Sequence, residues 1–349
     1  MSLLDKIKKN STIDQSSVLS KSKFFSEKDM IQTYVPMMNV ALSGSLEGGL
    51  TPGVTMFAGP SKHFKTAFSL LLAKSYLEKY EDAVLLFYDS EFGTPISYFD
   101  TFEIDKERVL HTPLTDIEQL KFDLMAQLTN LERGEKLIII IDSIGNLASK
   151  KEVEDALDQK AVADMTRAKQ VKSLFRMITP HLTLKDIPLV VVNHTYKEIG
   201  MFPKEIVGGG TGSYYSADNI FIIGRQQEKE GTEIVGYNFI INVEKSRYVK
   251  EKSKIPVTVS FEGGINKFSG LLEVAIEGGF VVKPSNGWYS KVDLETGEVL
   301  KEKVRIADTQ NAKFWTSILE SDKFKQYIKQ RYEVAYGSIL ETEEETEEA

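Results

Sequence analysis

Four short apolar runs constrain this chain most, because each breaks off at a polar residue. VTMFA at 54–58 gives way to Gly59, and AVLLFY at 83–88 to Asp89. LIIII at 137–141 gives way to Asp142, and LVVV at 189–192 to Asn193-His194. Helical patterns separate them. Residues 66–80 place Phe68, Leu71, Leu72 and Tyr76 at helical spacing. Thr115 with Glu118 forms a capping box that predicts a helix to about Arg133, and 158–178 is again helix-like. Further strands are expected at 219–223 and 237–243. Apolar runs alternating with helices predict an α/β fold on a mostly parallel twisted sheet covered on both faces. Ligands of such sheets gather beyond the carboxyl ends of the strands. Gly59, Asp89, Glu91, Asp142, Asn193 and His194 all fall there.

Outside this frame the pattern changes. Residues 1–33 are polar, with an amphipathic start (Leu3, Leu4, Ile7) and one aromatic pair, Phe24-Phe25. They read as an arm with little core of its own. The core is expected over 34–261, a small α/β domain over 262–336 with helices near 268–277 and 309–333, and an acidic disordered tail over 337–349. That tail distorts the overall charge of −8, since ETEEETEEA at 341–349 carries six glutamates and leaves −2 for the rest. A nearly neutral body does not exclude a nucleic-acid partner, and local patches decide. The absence of cysteine excludes disulfides, thiolate metal sites and thiol nucleophiles. No apolar run approaches the roughly 20 residues of a membrane span, so a soluble cytoplasmic protein with no membrane partner is expected.

The loop Gly59-Pro60-Ser61-Lys62-His63-Phe64-Lys65-Thr66 follows a strand and opens a helix. This is where a phosphate-binding loop sits, its N–H groups and helix terminus cradling phosphate oxygens. Lys65 would reach the β- and γ-phosphates of ATP, and the Thr66 hydroxyl would ligate Mg²⁺. The usual motif has glycine before the lysine, and here it is Phe64. Alone, the loop could equally be a Gly-Pro turn with a surface lysine. Asp142 changes that balance, because a carboxylate at the end of a buried strand can hold the metal opposite Thr66. Glu91 either polarises an attacking water or is an exposed loop carboxylate. His194 either senses the γ-phosphate or makes a structural hydrogen bond.

Two segments suit a polymer. Residues 195–215 combine glycines (Gly200, Gly208, Gly209, Gly210, Gly212) with Tyr196, Lys197, Met201, Phe202, Lys204, Tyr214 and Tyr215. Freed N–H groups bind phosphates, and aromatic or aliphatic groups stack on bases. Farther upstream, Arg167, Lys169, Lys172 and Arg176 are either a DNA-facing row or the solvated face of a helix. Lys245 and Arg247 end another strand. They are either a surface pair or cations that complete a nucleotide site, in trans if the site lies between subunits.

In this order the pieces resemble the RecA-type recombinases, and most closely the phage recombinases of the UvsX type. The resemblance spans about 20–335. It rests on SKFFSEKD at 22–29, GPSKHFKT at 59–66, LLFYDSEFG at 85–93, IIIIDSIGNLASKKE at 138–152, VVVNHTY at 190–196, GGGTGSYYSAD at 208–218, NVEKSR at 242–247 and NGWYS at 286–290. The phage-type loop also lacks the glycine that Phe64 replaces. The resemblance implies an ATP- and Mg²⁺-dependent protein that forms helical filaments on single-stranded DNA and exchanges strands with homologous duplex, in recombination, repair and replication. It implies Glu91 as catalytic glutamate, Asp142 as the magnesium-side carboxylate, and His194 where bacterial members carry a glutamine that couples ATP to DNA. Tyr98 falls near the adenine-stacking tyrosine. Ile199 is implied as a wedge between bases, residues 150–165 as the other DNA loop, and Lys245 and Arg247 as trans contacts to ATP. Phe24-Phe25 would dock the arm on the next subunit. A single-strand-binding protein and a loading mediator are implied as further partners. The competing expectations are a RecA-fold hexameric helicase and a non-catalytic, ATP-gated DNA-coating protein.

Overall fold

The computed structural model describes residues 1–13, 15–22, 29–158, 166–198 and 204–334. In chain order, α1 (Leu3–Asn10) and α2 (Pro36–Ser43) precede β1 (Gly53–Ala58), α3 (Lys65–Lys79), β2 (Val84–Asp89), α4 (Ile96–Thr101) and β3 (Val109–Pro113). Then come α5 (Ile117–Asn130), β4 (Leu137–Asp142), α6 (Lys150–Leu157), α7 (Thr166–Lys185) and β5 (Pro188–Asn193). A small hairpin, β6 (Thr195–Lys197) with β7 (Glu205–Val207), leads into α8 (Thr211–Ser216). The long strands β8 (Asn219–Glu230) and β9 (Glu233–Ser246) follow, then β10 (Lys254–Ser260) and β11 (Gly264–Ile265). The chain continues through α9 (Leu271–Glu277), β12 (Val281–Ser285), β13 (Trp288–Lys291), β14 (Val304–Arg305), α10 (Ala312–Glu320) and α11 (Asp322–Tyr332).

Nine strands form one sheet in the order β11-β10-β9-β8-β1-β5-β4-β2-β3. Strands from β8 through to β3 run parallel, while β9, β10 and β11 are joined in antiparallel pairs. The apolar runs occupy the centre because both of their faces are buried. Phe57, Leu85, Phe87, Ile138, Ile140 and Val190 point into one apolar cluster with α2 and α3. Val54, Met56, Leu86, Tyr88, Ile139, Ile141 and Val191 point into the other, under α5 and α7. This is the period-two alternation of a strand with no solvent face. Truncating a fully buried Ile140 to alanine would cost about 2–5 kcal/mol. The first cluster continues without a break into the C-terminal residues Leu271, Trp315, Phe324 and Tyr332.

Several expectations shift. Helix α5 begins at Ile117 with Asp116 as its cap, whose carboxylate accepts from the Gln119 N–H at 2.9 Å. Thr115 is therefore not the cap, because Asp is preferred over Thr at that position and stands one residue later. Capping boxes are found instead at α1, between Ser2 and Asp5, and at α6, between Ser149 and Glu152. The helix expected over 158–178 is observed over α7, and residues 159–165 lie outside the described residues. The helix near 309–333 is two helices, α10 and α11. None of the α1 residues is buried. Among the described residues no helix is long and apolar enough to cross a membrane.

Candidate active site at the carboxyl rim of the sheet

The parallel register brings the ends of β1, β5, β4 and β2 to one rim. There Ala58 lies beside Asn193 and Asp89 beside Asp142. The 59–66 loop leaves β1 at this rim, and the Gly59 N–H donates to the Asn193 carbonyl at 3.3 Å. Lys62 and Phe64 both take left-handed backbone with φ of 60°, turning the chain into α3. Lys65 is buried, and its ammonium folds back to donate to the Pro60 carbonyl at 2.8 Å. Burial lowers its pKa against the opposing pull of Glu91 and Asp142. The His63 ring lies 2.9 Å from the Ser61 carbonyl.

Thr66 Oγ1 donates to Asp142 Oδ2 at 2.7 Å, and the Thr94 hydroxyl approaches the same oxygen at 3.5 Å. Asp142 is 1% exposed. Burial pushes its carboxyl up to about 6, and Glu91 and Asp89 push it the same way. Its Oδ1 is buried with no hydrogen-bond partner. A carboxylate oxygen left in that state fits a divalent cation or the cation's water shell. Among the described residues no group of three His, Cys, Asp or Glu side chains could hold a metal alone. Thr66 and Asp142 therefore suit an ion that brings other oxygen ligands with it, as Mg²⁺ on phosphates does.

Glu91 sits two residues beyond β2. Its Oε1 lies 2.8 Å from His194 Nε2, which in turn lies 3.4 Å from the Ser143 hydroxyl. Hydrogen bonding to His194 holds the Glu91 carboxyl down to about 2, with help from Ser143, the His194 charge and Lys65, while partial burial opposes. The turn that presents Glu91 is fixed by Asp89. Its Oδ1 accepts from the N–H groups of Glu91 at 3.0 Å and Phe92 at 2.8 Å. His111 on the edge strand β3 faces the other Asp89 oxygen at 3.3 Å. Ser90 Oγ donates to the Ser143 carbonyl at 2.6 Å and accepts from the Ser143 N–H at 3.1 Å, tying the two strand ends together. The Asp142-Ser143 peptide is cis. A side chain at Gly145 would meet the His194 ring at 2.7 Å, so glycine there makes room for the histidine.

His194 also roots the segment beyond it. Its carbonyl accepts from the Gly208 N–H at 2.9 Å, while the Asn193 amide donates to the Gly208 carbonyl at 2.8 Å. Between these roots, β6 and β7 pair, leaving Tyr196, Lys197 and Lys204 exposed. Gly209 and Gly210 have φ of 89° and 74°. Ile199, Met201 and Phe202 lie outside the described residues, as do Phe24 and Phe25.

Other sequence candidates are placed differently. The Arg167 guanidinium donates to the carbonyls of Leu147 at 2.7 Å, Ile144 at 3.0 Å and Gly145 at 2.9 Å, so it braces the turn after β4. Lys169, Lys172 and Arg176 stand exposed along α7. Tyr98 is 42% exposed on α4, beyond the Glu91 turn. Lys245 and Arg247 lie at the opposite rim, where β9 ends beside the start of β8. There the Lys245 ammonium donates to the carbonyls of Tyr214, Tyr215 and Ala217 at 2.7–3.1 Å. Arg247 pairs with Asp218. Both therefore lie away from the 59–66 loop of the same chain. Asp89, Ser90, Ser143 and Gly145 were not singled out for these roles from the sequence, although all four fall within the quoted LLFYDSEFG and IIIIDSIGN stretches.

Comparison with known proteins agrees with this geometry. The family model described as RecA N-terminal domain matches residues 3–266. The one described as Bacteriophage T4, Recombination and repair protein, C-terminal domain matches residues 268–328. The chain is 52% identical over 336 residues to the "Recombination and repair protein" of Enterobacteria phage T4, covering 95% of this chain and 86% of that protein. It is 24% identical over 323 residues to "Protein RecA" of Symbiobacterium thermophilum, covering 90% and 88% respectively. With its central sheet, its phosphate-type loop and its matched C-terminal segment, this chain belongs to the RecA family, on the branch of the phage recombination and repair proteins.

Proposed function

We propose that this chain is an ATP-dependent recombinase that forms helical filaments on single-stranded DNA, pairs it with homologous duplex and exchanges strands. It would serve recombination, repair and recombination-dependent replication in the host cytoplasm. The observation that carries the reading is the row Thr66–Asp142–Glu91–His194 at one rim, continuous through His194 with the 195–215 segment. In this reading residues 1–33 are the oligomerisation arm, 34–261 the ATPase core with its DNA loops, 262–336 the small C-terminal domain and 337–349 an acidic tail.

The loop 59–66 would bind the ATP phosphates, Lys65 swinging from Pro60 to the γ-phosphate. Thr66 and Asp142 would hold Mg²⁺, which withdraws charge from the phosphate oxygens. Glu91 orients the attacking water. While His194 is bonded to it, Glu91 is a weak base, because its carboxyl is held at about 2. When His194 turns to the γ-phosphate, that hydrogen bond is lost and Glu91 becomes more basic. The same movement pulls on Gly208 through the His194 carbonyl, so nucleotide state and DNA loop shift together. Tyr196, Lys197, Lys204, Lys169 and the glycines 208–210 would face DNA, together with Ile199, Met201 and Phe202. Lys245 and Arg247 would reach the ATP of the adjacent subunit. Such a bridging ligand favours assembly by linkage. Single-strand-binding and loading partners fit the same reading.

The test is a DNA-stimulated ATPase assay paired with strand exchange on homologous and heterologous duplex. Homology-dependent exchange supports the reading, and exchange indifferent to homology overturns it. Closed rings in place of helical filaments by electron microscopy would overturn the filament assignment.

A further inference from the structure

The phosphate loop has an unusual construction. It turns into its helix through two left-handed residues, Lys62 and Phe64, neither of them glycine. L-residues rarely hold that conformation unless their surroundings impose it. Here each is held from outside by the long β8–β9 hairpin. The Phe64 ring stacks on Phe239 of β9, with centroids 5.0 Å apart and planes 20° from parallel. It also meets Phe68 of its own helix edge-on at 5.3 Å. The Lys62 carbonyl accepts from Arg225 of β8 at 3.1 Å. Arg225 is itself laid over the Tyr237 ring, 4.8 Å from its centroid. Arg225 and Phe239 are directly paired across the hairpin, so both grips come from one cross-strand position.

We infer that Arg225 and Phe239 are positioning residues for nucleotide binding, and that the hairpin clamps the phosphate loop in its anion-binding shape. In the usual loop, glycine permits the left-handed turn but does not enforce it. In this chain an aromatic ring at that position gives the hairpin something to hold. The loop is thereby organised before the nucleotide arrives, which lowers the cost of binding. Part of the phosphate affinity therefore resides in residues that never touch ATP.

The inference rests on the reading of residues 59–66 as the ATP-phosphate loop, and the experiment separates the two. KM for ATP and kcat are measured in the DNA-stimulated ATPase of the full chain, with direct binding of a slowly hydrolysed ATP analogue. Phe239→Leu and Arg225→Gln should each raise KM and weaken analogue binding about three- to tenfold, leaving kcat at saturating ATP unchanged. Phe239→Tyr, which keeps the ring, should restore the wild-type KM. Phe64→Gly should weaken binding by a similar factor, and adding it to Phe239→Leu should cost little more, because both remove the same stack. If wild type binds, Lys65→Ala does not, and KM is unmoved in Phe239→Leu and Arg225→Gln, the clamp is wrong and the site reading stands. If Lys65→Ala binds as tightly as wild type, the site reading itself has failed. Should Phe239→Leu melt at the assay temperature, exposed Arg225 carries the test alone, and an unchanged KM there overturns the clamp.

Discussion

Thr66 and Asp142 meet at 2.7 Å although 76 positions separate them in the chain. The contact exists because β1 and β4 both flank β5 in parallel register, so the loop leaving one strand overhangs the end of the other. It places a hydroxyl on one oxygen of a buried carboxylate and leaves the second oxygen without a partner.

Lys65→Ala should remove ATP-supported DNA binding. Its ammonium is the buried cation of the loop and is held on the Pro60 carbonyl within reach of bound phosphate. Filter binding or fluorescence anisotropy with and without ATP reads the loss, expected to exceed about tenfold, since a charge-assisted contact is worth about 1.5–3 kcal/mol. Tight ATP binding by the variant would overturn the loop assignment.

Glu91→Gln should slow hydrolysis by about a hundredfold or more while nucleotide binding persists. The amide still accepts a hydrogen bond from water but takes no proton. Steady-state ATPase and analogue binding, measured side by side, separate the two effects. A near-normal rate removes Glu91 from the mechanism.

Asp142→Asn gives a pH-dependent stability change of definite sign. Burial raises the carboxyl from 3.8 to about 6, so between those values the native state holds a proton that the unfolded chain has released, and above them it carries a buried charge. Native stability from this group is complete below about 3.8 and declines as pH rises to about 6. Without Mg²⁺, the asparagine variant should be more stable than wild type at pH 7.5, by about 1–3 kcal/mol. The advantage should shrink toward pH 4. Thermal melts in chelator at both pH values check it, and a variant less stable at pH 7.5 contradicts it.

His194→Ala should raise the Glu91 titration. With His194 in place the carboxyl is held at about 2, so the stability it confers is present above the ordinary carboxylate range and is lost only as pH falls through about 2. Carboxyl-carbon NMR should show the Glu91 midpoint moving toward the ordinary value once the histidine is gone. An unmoved midpoint would show that the pairing does not govern the carboxylate.

Deleting residues 341–349 should strengthen binding to duplex DNA, because their six glutamates compete with phosphates for the same cations. The effect should shrink as salt rises. Salt titrations of duplex affinity that superimpose for the two proteins would dismiss it.

The centre of the fold was legible because burial on both faces leaves a plain trace: LIIII and LVVV can hardly be anything but interior strands. The margins were harder to read. β3 is an edge strand whose VLHTP is half exposed, so no apolar run marks it. Helix α2 was missed because all but its first residue is buried, leaving PMMNVALS without an amphipathic stripe. The outer half of β8, RQQEKE, extends into solvent as part of a hairpin and has the composition of a loop. At the rim, Gly59, Asp89, Asp142 and Asn193 stood out because each ends an apolar run. The contacts that brace the rim did not: Ser90 and Ser143 act through backbone groups that no local pattern encodes, and Arg167, legible only as one of a basic row, instead braces the turn after β4.

β9 crosses the sheet from one rim to the other. Phe239 lies against the 59–66 loop at one side, and Lys245, six residues further on, ends at the opposite rim. The two are about 20 Å apart along a hydrogen-bonded strand. If Lys245 and Arg247 meet the ATP of the adjacent subunit, this strand is a ruler. The spacing between successive nucleotides along a filament would then be written into the interior of each subunit, where it resists stretching. A polymer that lengthens under load would have to yield at its joints.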